Sequence, residues 1–199
     1  MIFQLRGTSG SGKSTVARHL FNCFDCQPVR YVDDKRKKVL VYKGYVDDVP
    51  FFMLGDYAPT RSAPGCDTIP KISTLTDLAI QYANKNDGRS IVFLEGLLAG
   101  HSWGELGERL HPAFGHRYVN AFLDTPVERC LRRVLKRRES KGTETPPERL
   151  AKISQNVQDD YHRVELCYDR VIARGGFRID VPWRGAPEFC ERYISGNAP

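Results

Sequence analysis

One short stretch near the start of the chain constrains its fold more than any other. Residues 7–14 read Gly-Thr-Ser-Gly-Ser-Gly-Lys-Ser and fit the spacing G-x-x-x-x-G-K-[ST] at every position. Glycines let the backbone fold back, so that successive N–H groups point into one concavity that attracts an anion. An apolar run precedes the motif and an amphipathic pattern follows it. The sequence therefore predicts a strand, a phosphate-binding loop and a helix that together bind a nucleoside triphosphate.

The polar residues of this motif have predicted roles in holding the nucleotide. We expect the Lys13 ammonium to reach the β- and γ-phosphates of ATP and the Ser14 hydroxyl to hold Mg²⁺. The positive end of the helix that begins at Lys13 strengthens the attraction. The residues predicted to bind the nucleotide are Gly7, Thr8, Ser9, Gly10, Ser11, Gly12, Lys13, Ser14 and Thr15, with Arg138 from a later helix.

Predicted strands and helices alternate along the rest of the chain. Apolar runs at residues 91–94 and 118–123 indicate core strands, and Thr125 and Thr145 each begin a helix-start pattern. Such alternation requires a parallel sheet with helices on both faces. We therefore predict an α/β fold of the P-loop NTPase type, a three-layer αβα sandwich around a mostly parallel five-stranded sheet.

A length of 199 residues fits one domain, predicted here over residues 1–199. Residues 29–72 contain β-rich runs and a long loop rich in Pro, Gly and Thr, and are predicted to form a small substrate insertion. Residues 133–148 include the end of an arginine-rich helix and a flexible segment, and are predicted to form a lid over the nucleotide.

The composition of the chain indicates which binding partners and which cellular compartment to expect. The formal net charge of +6 suits a polyanionic acceptor such as nucleic acid. The sequence contains no apolar run of membrane-spanning length and no signal-peptide pattern, so we expect a cytoplasmic protein that contacts no membrane. The six cysteines are scattered apart from one C-x-x-C pair, which favours reduced thiols. No sequence feature sets an oligomeric state.

GTP switches, ATPase motors and kinases all use this loop. Residues 84–87 match the guanine-reading pattern N-K-x-D, but they follow a predicted helix rather than a strand, so we interpret them as a polar turn. Motor ATPases usually end the relevant strand with aspartate, whereas this strand ends with Glu95. The pattern therefore favours a kinase.

Arginines on one predicted helix support the kinase interpretation. Arg129, Arg133 and Arg137 recur at four-residue spacing and share one helix face. Arginine stays charged and binds phosphate oxygens in pairs, so it suits a migrating phosphoryl group. The alternative is a solvated basic face. We predict catalytic roles for Lys13, Arg133 and Arg137.

A kinase that acts on a hydroxyl group needs a carboxylate near the γ-phosphate to take the proton. Glu95 ends a core strand at the sheet edge where open parallel sheets bind ligands, and Asp67 lies in the long loop. Asp33 and Asp34 follow an earlier strand, but their basic neighbours favour a solvated turn. We predict catalytic roles for Asp67 and Glu95, either of which can be the base.

Several stretches resemble known kinases. Residues 121–126, followed by arginines, resemble the strand–helix–lid segment of small nucleoside and nucleotide kinases. Three stretches, residues 54–57 with 65–68, residues 93–98 and residues 121–126, are similar to stretches of bacteriophage kinases that phosphorylate 5-hydroxymethyluracil in DNA during thymine hypermodification. This resemblance implies transfer of the γ-phosphate of Mg²⁺–ATP to the 5-hydroxymethyl group of 5-hydroxymethyluridine in DNA.

The resemblance also implies how the acceptor binds. Asp67 and Glu95 would face a base flipped out of the DNA, in the cytoplasm of the host cell. Tyr57 or Trp103 would stack on that base, unless both belong to the core. The phosphate backbone would lie on Lys35, Arg36, Lys37 and Lys38. The alternatives are a kinase of free nucleosides or nucleotides, and a non-catalytic, nucleotide-gated DNA-binding module.

Overall fold

Seven strands of the described residues form one sheet, and the strand before the glycine-rich motif lies inside it. A computed structural model describes residues 1–31, 39–57, 65–101 and 103–197. The order across the sheet is β2-β3-β4-β5-β1-β6-β7. The strands are β1 (Ile2–Arg6), β2 (Gln27–Tyr31), β3 (Val39–Val46), β4 (Val49–Leu54), β5 (Ile91–Glu95), β6 (Tyr118–Asp124) and β7 (Arg178–Pro182).

Five neighbouring strands run parallel, as the alternation of strands and helices predicts. These are β4, β5, β1, β6 and β7. The pairs β2–β3 and β3–β4 are antiparallel, so the β-rich segment expected as an insertion extends the same sheet beyond β4. The mostly parallel sheet is confirmed, and the antiparallel pairs widen it from five strands to seven.

Helices cover both faces of this sheet, which confirms the three-layer sandwich. Phe3 and Leu5 of β1 point to one face, where they belong to the same buried cluster as Leu20 and Ile194. Ile2 points to the opposite face. The helices of the described part are α1 (Lys13–Cys23), α2 (Ile72–Ala83), α3 (Leu97–His101), α4 (Gly104–Phe114), α5 (Val127–Glu139), α6 (Pro147–Ala173) and α7 (Ala186–Gly196). None of these helices has the length and apolar character of a membrane span.

The N-K-x-D residues form a turn between α2 and β5. Asn86 and Asp87 have left-handed φ angles of 52° and 54°, and Gly88 follows at 77°. This geometry agrees with a polar turn. The predictions for Asp33, Asp34 and the basic residues 35–38 lie outside the described residues.

A buried arginine fixes the sheet edge from which the glycine-rich loop starts. Arg6 is the last residue of β1 and is fully buried. Its guanidinium donates to Asn120 Oδ1 at 3.0 Å and to Gln4 Oε1 at 2.9 Å. It also donates to the Tyr118 hydroxyl oxygen at 3.0 Å and to the Gly100 carbonyl oxygen at 3.2 Å. Arg6 thereby links β1, β6 and α3 directly before Gly7 of the loop.

Replacing Arg6 tests this link. We expect Arg6→Met to lower the free energy of unfolding by about 3–5 kcal/mol, because it leaves buried polar partners without their donor. Urea denaturation measures the change. The exposed Arg174→Met is the matched control and should shift stability by less than about 0.5 kcal/mol. Similar values for the two variants would show that the Arg6 hydrogen bonds contribute little.

Candidate phosphotransfer site

The glycine-rich loop, residues 7–12, connects β1 to α1 at the carboxyl edge of the parallel strands. Gly10 and Gly12 adopt φ angles of +83° and +115°, which side chains rarely tolerate. A Cβ atom on Gly10 would lie less than 3.0 Å from the carbonyl oxygen of Cys130 in α5. The loop thus needs glycine here both for its turn and for its contact with α5.

Lys13 folds back onto the loop that precedes it. Its Nζ donates to the Gly7 carbonyl oxygen at 2.7 Å and to the Thr8 carbonyl oxygen at 3.0 Å. Burial lowers the pKa of Lys13, and the carboxylates of Glu95 and Asp67 act in the opposite direction. The Lys13 ammonium is therefore positioned by the loop and lies within the field of both predicted catalytic carboxylates.

The carbonyl oxygens of Gly10 and Ser11 in the loop also accept hydrogen bonds from side chains. Arg133 Nη1 of α5 donates to Ser11 at 2.7 Å and to Gly10 at 3.3 Å. The Thr125 hydroxyl, at the start of the same segment, donates to the Ser11 carbonyl oxygen at 2.9 Å. Arg133 therefore helps to hold the loop in shape, a role that the sequence pattern did not predict.

A cavity of about 830 Å³ opens beside the loop, and its lining contains more basic than acidic side chains. The excess of positive charge, together with the loop, suits a polyphosphate. The basic residues that line it are Lys13, Arg18, Arg133, Arg137, Arg138 and Lys141. The acidic residues are Asp67, Glu95 and Asp160.

All five predicted catalytic residues line this cavity, and so do seven of the ten predicted nucleotide contacts. These seven are Ser9, Gly10, Gly12, Lys13, Ser14, Thr15 and Arg138. The other three, Gly7, Thr8 and Ser11, are outside the lining. Thr8 and Ser11 are buried, and the Thr8 hydroxyl donates to the Val157 carbonyl oxygen of α6 at 3.4 Å.

Glu95 brings a buried carboxylate into the cavity at the end of β5. Only 2% of its surface is exposed, and its Oε1 has no hydrogen-bond partner among the described residues. Burial raises the pKa of Glu95 to about 7, which the Lys13 charge partly opposes and the Asp67 charge reinforces. A carboxylate with this pKa can accept and release a proton near neutral pH.

Asp67 lies in a short 3₁₀ turn, Cys66–Thr68, and its carboxylate has a different environment. Its Oδ2 accepts a hydrogen bond of 2.8 Å from the backbone N–H of Leu97, the first residue of α3. Asp67 therefore links the long loop to the start of α3. The geometry distinguishes the two predicted carboxylates, because a backbone donor engages Asp67 whereas Glu95 retains an unpartnered oxygen.

Three charged residues of the cavity had no individual role in the sequence prediction. Arg18 follows Ser14 by four residues, so the helical spacing in α1 places both on one helix face and could have predicted Arg18. Lys141 lies two residues after the end of α5, within the predicted lid. Asp160 lies within the 27-residue helix α6 and carried no local signal. His101 Nε2 is 3.8 Å from Asp160 Oδ1, and burial lowers the pKa of His101.

Three residues that the sequence analysis considered for the site lie outside the cavity lining: Tyr57, Trp103 and Arg129. Tyr57 and Trp103 are buried, with 7% and 4% exposure, and neither lines the cavity. Both belong to the core, which was the alternative for them. The Arg129 guanidinium lies 3.9 Å from the centre of the Trp183 ring and is also outside the cavity lining.

The chain is similar to several known proteins. The sequence profile of one family, described as 5-hmdU DNA kinase, matches residues 1–174. A 5-hmdU DNA kinase of Pseudomonas phage PaMx11 is 34% identical over 147 residues, which cover 73% of each chain. A 5-hmdU DNA kinase of Pseudomonas phage M6 is 26% identical over 185 residues, 92% of this chain and 91% of the relative. Among solved structures, deoxyadenosine kinase from M. mycoides with bound dCTP aligns over 98% of this chain and 100% of its own, with 12% identity and a TM-score of 0.41.

The close contact of Gly10 with α5 can be tested by adding one methyl group. We expect Gly10→Ala to weaken ATP binding at least 10-fold, since the loop must move away from α5 to accommodate the Cβ atom. Isothermal titration with ATP and Mg²⁺ measures the affinity. Gly175→Ala is the control, because Gly175 has a similar positive φ of 66° but no atom within 4 Å of an added Cβ. Equal ATP affinity in both variants would refute the steric requirement.

Proposed function

The chain belongs to the 5-hmdU DNA kinase family, and from this premise we propose that it transfers the γ-phosphoryl group of Mg²⁺–ATP to the 5-hydroxymethyl group of 5-hydroxymethyluridine in DNA. The observation that best supports the phosphotransfer chemistry is the buried Glu95 carboxylate beside Lys13, in a cavity rich in arginine. The relatives come from Pseudomonas phages, so we propose the cytoplasm of an infected cell as the compartment.

The nucleotide would lie with its phosphates against the glycine-rich loop. Lys13 would contact the β- and γ-phosphates, while Arg137 and Arg138 would neutralise the charge that spreads over the migrating group. Mg²⁺, when bound, neutralises charge on the same phosphates. The Ser14 hydroxyl lines the cavity and is the residue we propose to hold Mg²⁺, which prefers oxygen ligands.

Residues 133–148 are proposed as the lid of the single domain. They combine the last turns of α5 with a turn in which Gly142 has a φ of +65°. Arg137, Lys141 and Thr143 of this segment line the cavity. Closure of such a segment would exclude water, so that the DNA hydroxyl rather than water would attack the phosphate.

Glu95 is proposed as the general base. The hydroxyl oxygen of the acceptor would attack the γ-phosphorus, the bond from this phosphorus to the β–γ bridging oxygen would break, and ADP would leave. The hydroxyl proton would pass to the carboxylate of Glu95, which lines the cavity. Asp67 is proposed to position α3 and the long loop through Leu97.

The acceptor base would leave the DNA stack to reach Glu95, at a cost of a few kcal/mol. We propose that Arg18 contacts the DNA strand beside that base. Arg18 is exposed, lines the cavity, and its charge acts on Glu95. The net charge of +6 favours a polyanionic acceptor over a neutral nucleoside.

The function is tested by incubating the protein with radiolabelled ATP, Mg²⁺ and DNA that contains 5-hydroxymethyluracil, then digesting the DNA to nucleosides for mass analysis. We expect a phosphorylated hydroxymethyl nucleoside from the polymer. Label in free mononucleosides alone would identify a nucleoside kinase, and binding without transfer would identify a non-catalytic DNA-binding module. Lys13→Ala should reduce transfer at least 100-fold, whereas the exposed Lys152→Ala should not.

The pH dependence of the reaction separates the two carboxylates. The raised pKa of Glu95 predicts that kcat/KM falls as the pH decreases through about 7, because the base becomes protonated. Glu95→Gln should lose at least 100-fold in kcat and abolish this acid limb. Asp67→Asn keeps an acceptor for Leu97 and should retain the limb with a smaller loss. If Asp67→Asn instead removes the limb, Asp67 is the base.

A further inference from the structure

Three potential metal ligands meet on the surface between α1 and α7, at the end of α1 that is remote from the glycine-rich loop. His19 and Cys23 are four residues apart on α1 and therefore share one helix face. Glu191 of α7 approaches the same face. One ligand atom from each residue lies within 4.8 Å of the other two. The phosphotransfer mechanism uses none of the three.

One of the two separations between these atoms matches that around a tetrahedral zinc ion, and the other is shorter. Cys23 Sγ lies 3.5 Å from His19 Nε2. Bond lengths of about 2.3 Å for Zn–S and about 2.05 Å for Zn–N at a tetrahedral angle give an S···N separation of about 3.5 Å. His19 Nε2 lies 2.6 Å from Glu191 Oε2, compared with about 3.4 Å around zinc. The partly exposed Glu191 side chain would therefore retreat by roughly 0.8 Å to admit the ion.

The chemistry of the three donors selects the kind of ion. Imidazole nitrogen, thiolate sulfur and carboxylate oxygen are together the ligand types that Zn²⁺ accepts, whereas Mg²⁺ and Ca²⁺ prefer oxygen alone. Cys23 is exposed, so a fourth position faces solvent and can take a water molecule. Cys26, the other member of the C-x-x-C pair, is 2% exposed and belongs to the core rather than to this cluster.

We propose that His19, Cys23 and Glu191 form a Zn²⁺ site with water as the fourth ligand. Binding would release the thiol proton of Cys23 and any proton on His19 Nε2 to solvent, with no change of oxidation state. The ion would connect the last turns of α1 to α7, two helices that pack on the same face of the sheet. Zinc would thereby stabilise the folded protein without entering the phosphotransfer site.

Zinc titration of the full chain tests the proposal. Isothermal titration should show one Zn²⁺ per chain with Kd below about 1 μM, and zinc at one hundred times Kd should raise Tm by about 5–10 °C. Co²⁺ in place of Zn²⁺ should give thiolate charge-transfer absorption. Cys23→Ser and His19→Ala should each weaken binding at least 100-fold, and Glu191→Gln at least 10-fold.

A second exposed histidine–carboxylate pair provides the matched control. His162 Nδ1 and Glu165 Oε2 of α6 are 3.8 Å apart on the surface. His162→Ala should bind zinc as tightly as the unaltered chain. Zinc affinity that is unchanged in Cys23→Ser, or a Kd above about 1 μM in the unaltered chain, would overturn the proposed zinc site and leave only a histidine–glutamate ion pair. Since Cys23→Ser should retain full kinase activity, this result is independent of the proposed phosphotransfer.

Discussion

The phosphate-binding loop depends on donors for its own carbonyl oxygens. A loop that turns its N–H groups toward an anion turns carbonyl groups toward the protein, where buried acceptors need partners. Lys13 serves the carbonyls of Gly7 and Thr8, and Arg133 with Thr125 serves the next pair. These bonds connect the loop to the first residue of α1 and to α5 with the residues that precede it. Cationic side chains therefore hold the loop in the conformation that attracts an anion.

The same arrangement explains why Glu95 has an unusual pKa. A carboxylate that ends a buried strand loses its hydration, which raises the pKa. The Lys13 ammonium opposes this effect, and the same group donates to the loop carbonyls. The balance leaves the pKa of Glu95 at about 7, close to the value at which a proton acceptor is most useful. Burial, rather than one neighbouring group, is thus the main cause of the raised pKa of Glu95.

Local pattern predicted the parts of the site that lie near the motif in sequence, and tertiary packing determined the rest. The glycine spacing located the loop and α1, and the apolar run before Glu95 placed that residue at the sheet edge. Pairing of β3 with β4 extended the sheet in a way that strand propensity does not specify. Asp160 enters the cavity because α6 crosses beside the loop, and a polar residue in a long helix gives no sign of such a contact.

The arginines of α5 show why periodicity identifies a helix face but not a function. Successive members of the series Arg129, Arg133 and Arg137 are displaced by about 6 Å along the helix axis. That step changes the neighbour of each arginine: the first stacks on Trp183, the second donates to Ser11, and the third lines the cavity. Each role depends on where the residue lies along the helix axis relative to the loop. The close contact between Gly10 and the first turns of α5 fixes this position. A shift of α5 by one turn would place a different arginine of the series opposite the Ser11 carbonyl oxygen, so the glycine at this contact helps to determine which arginine holds the loop.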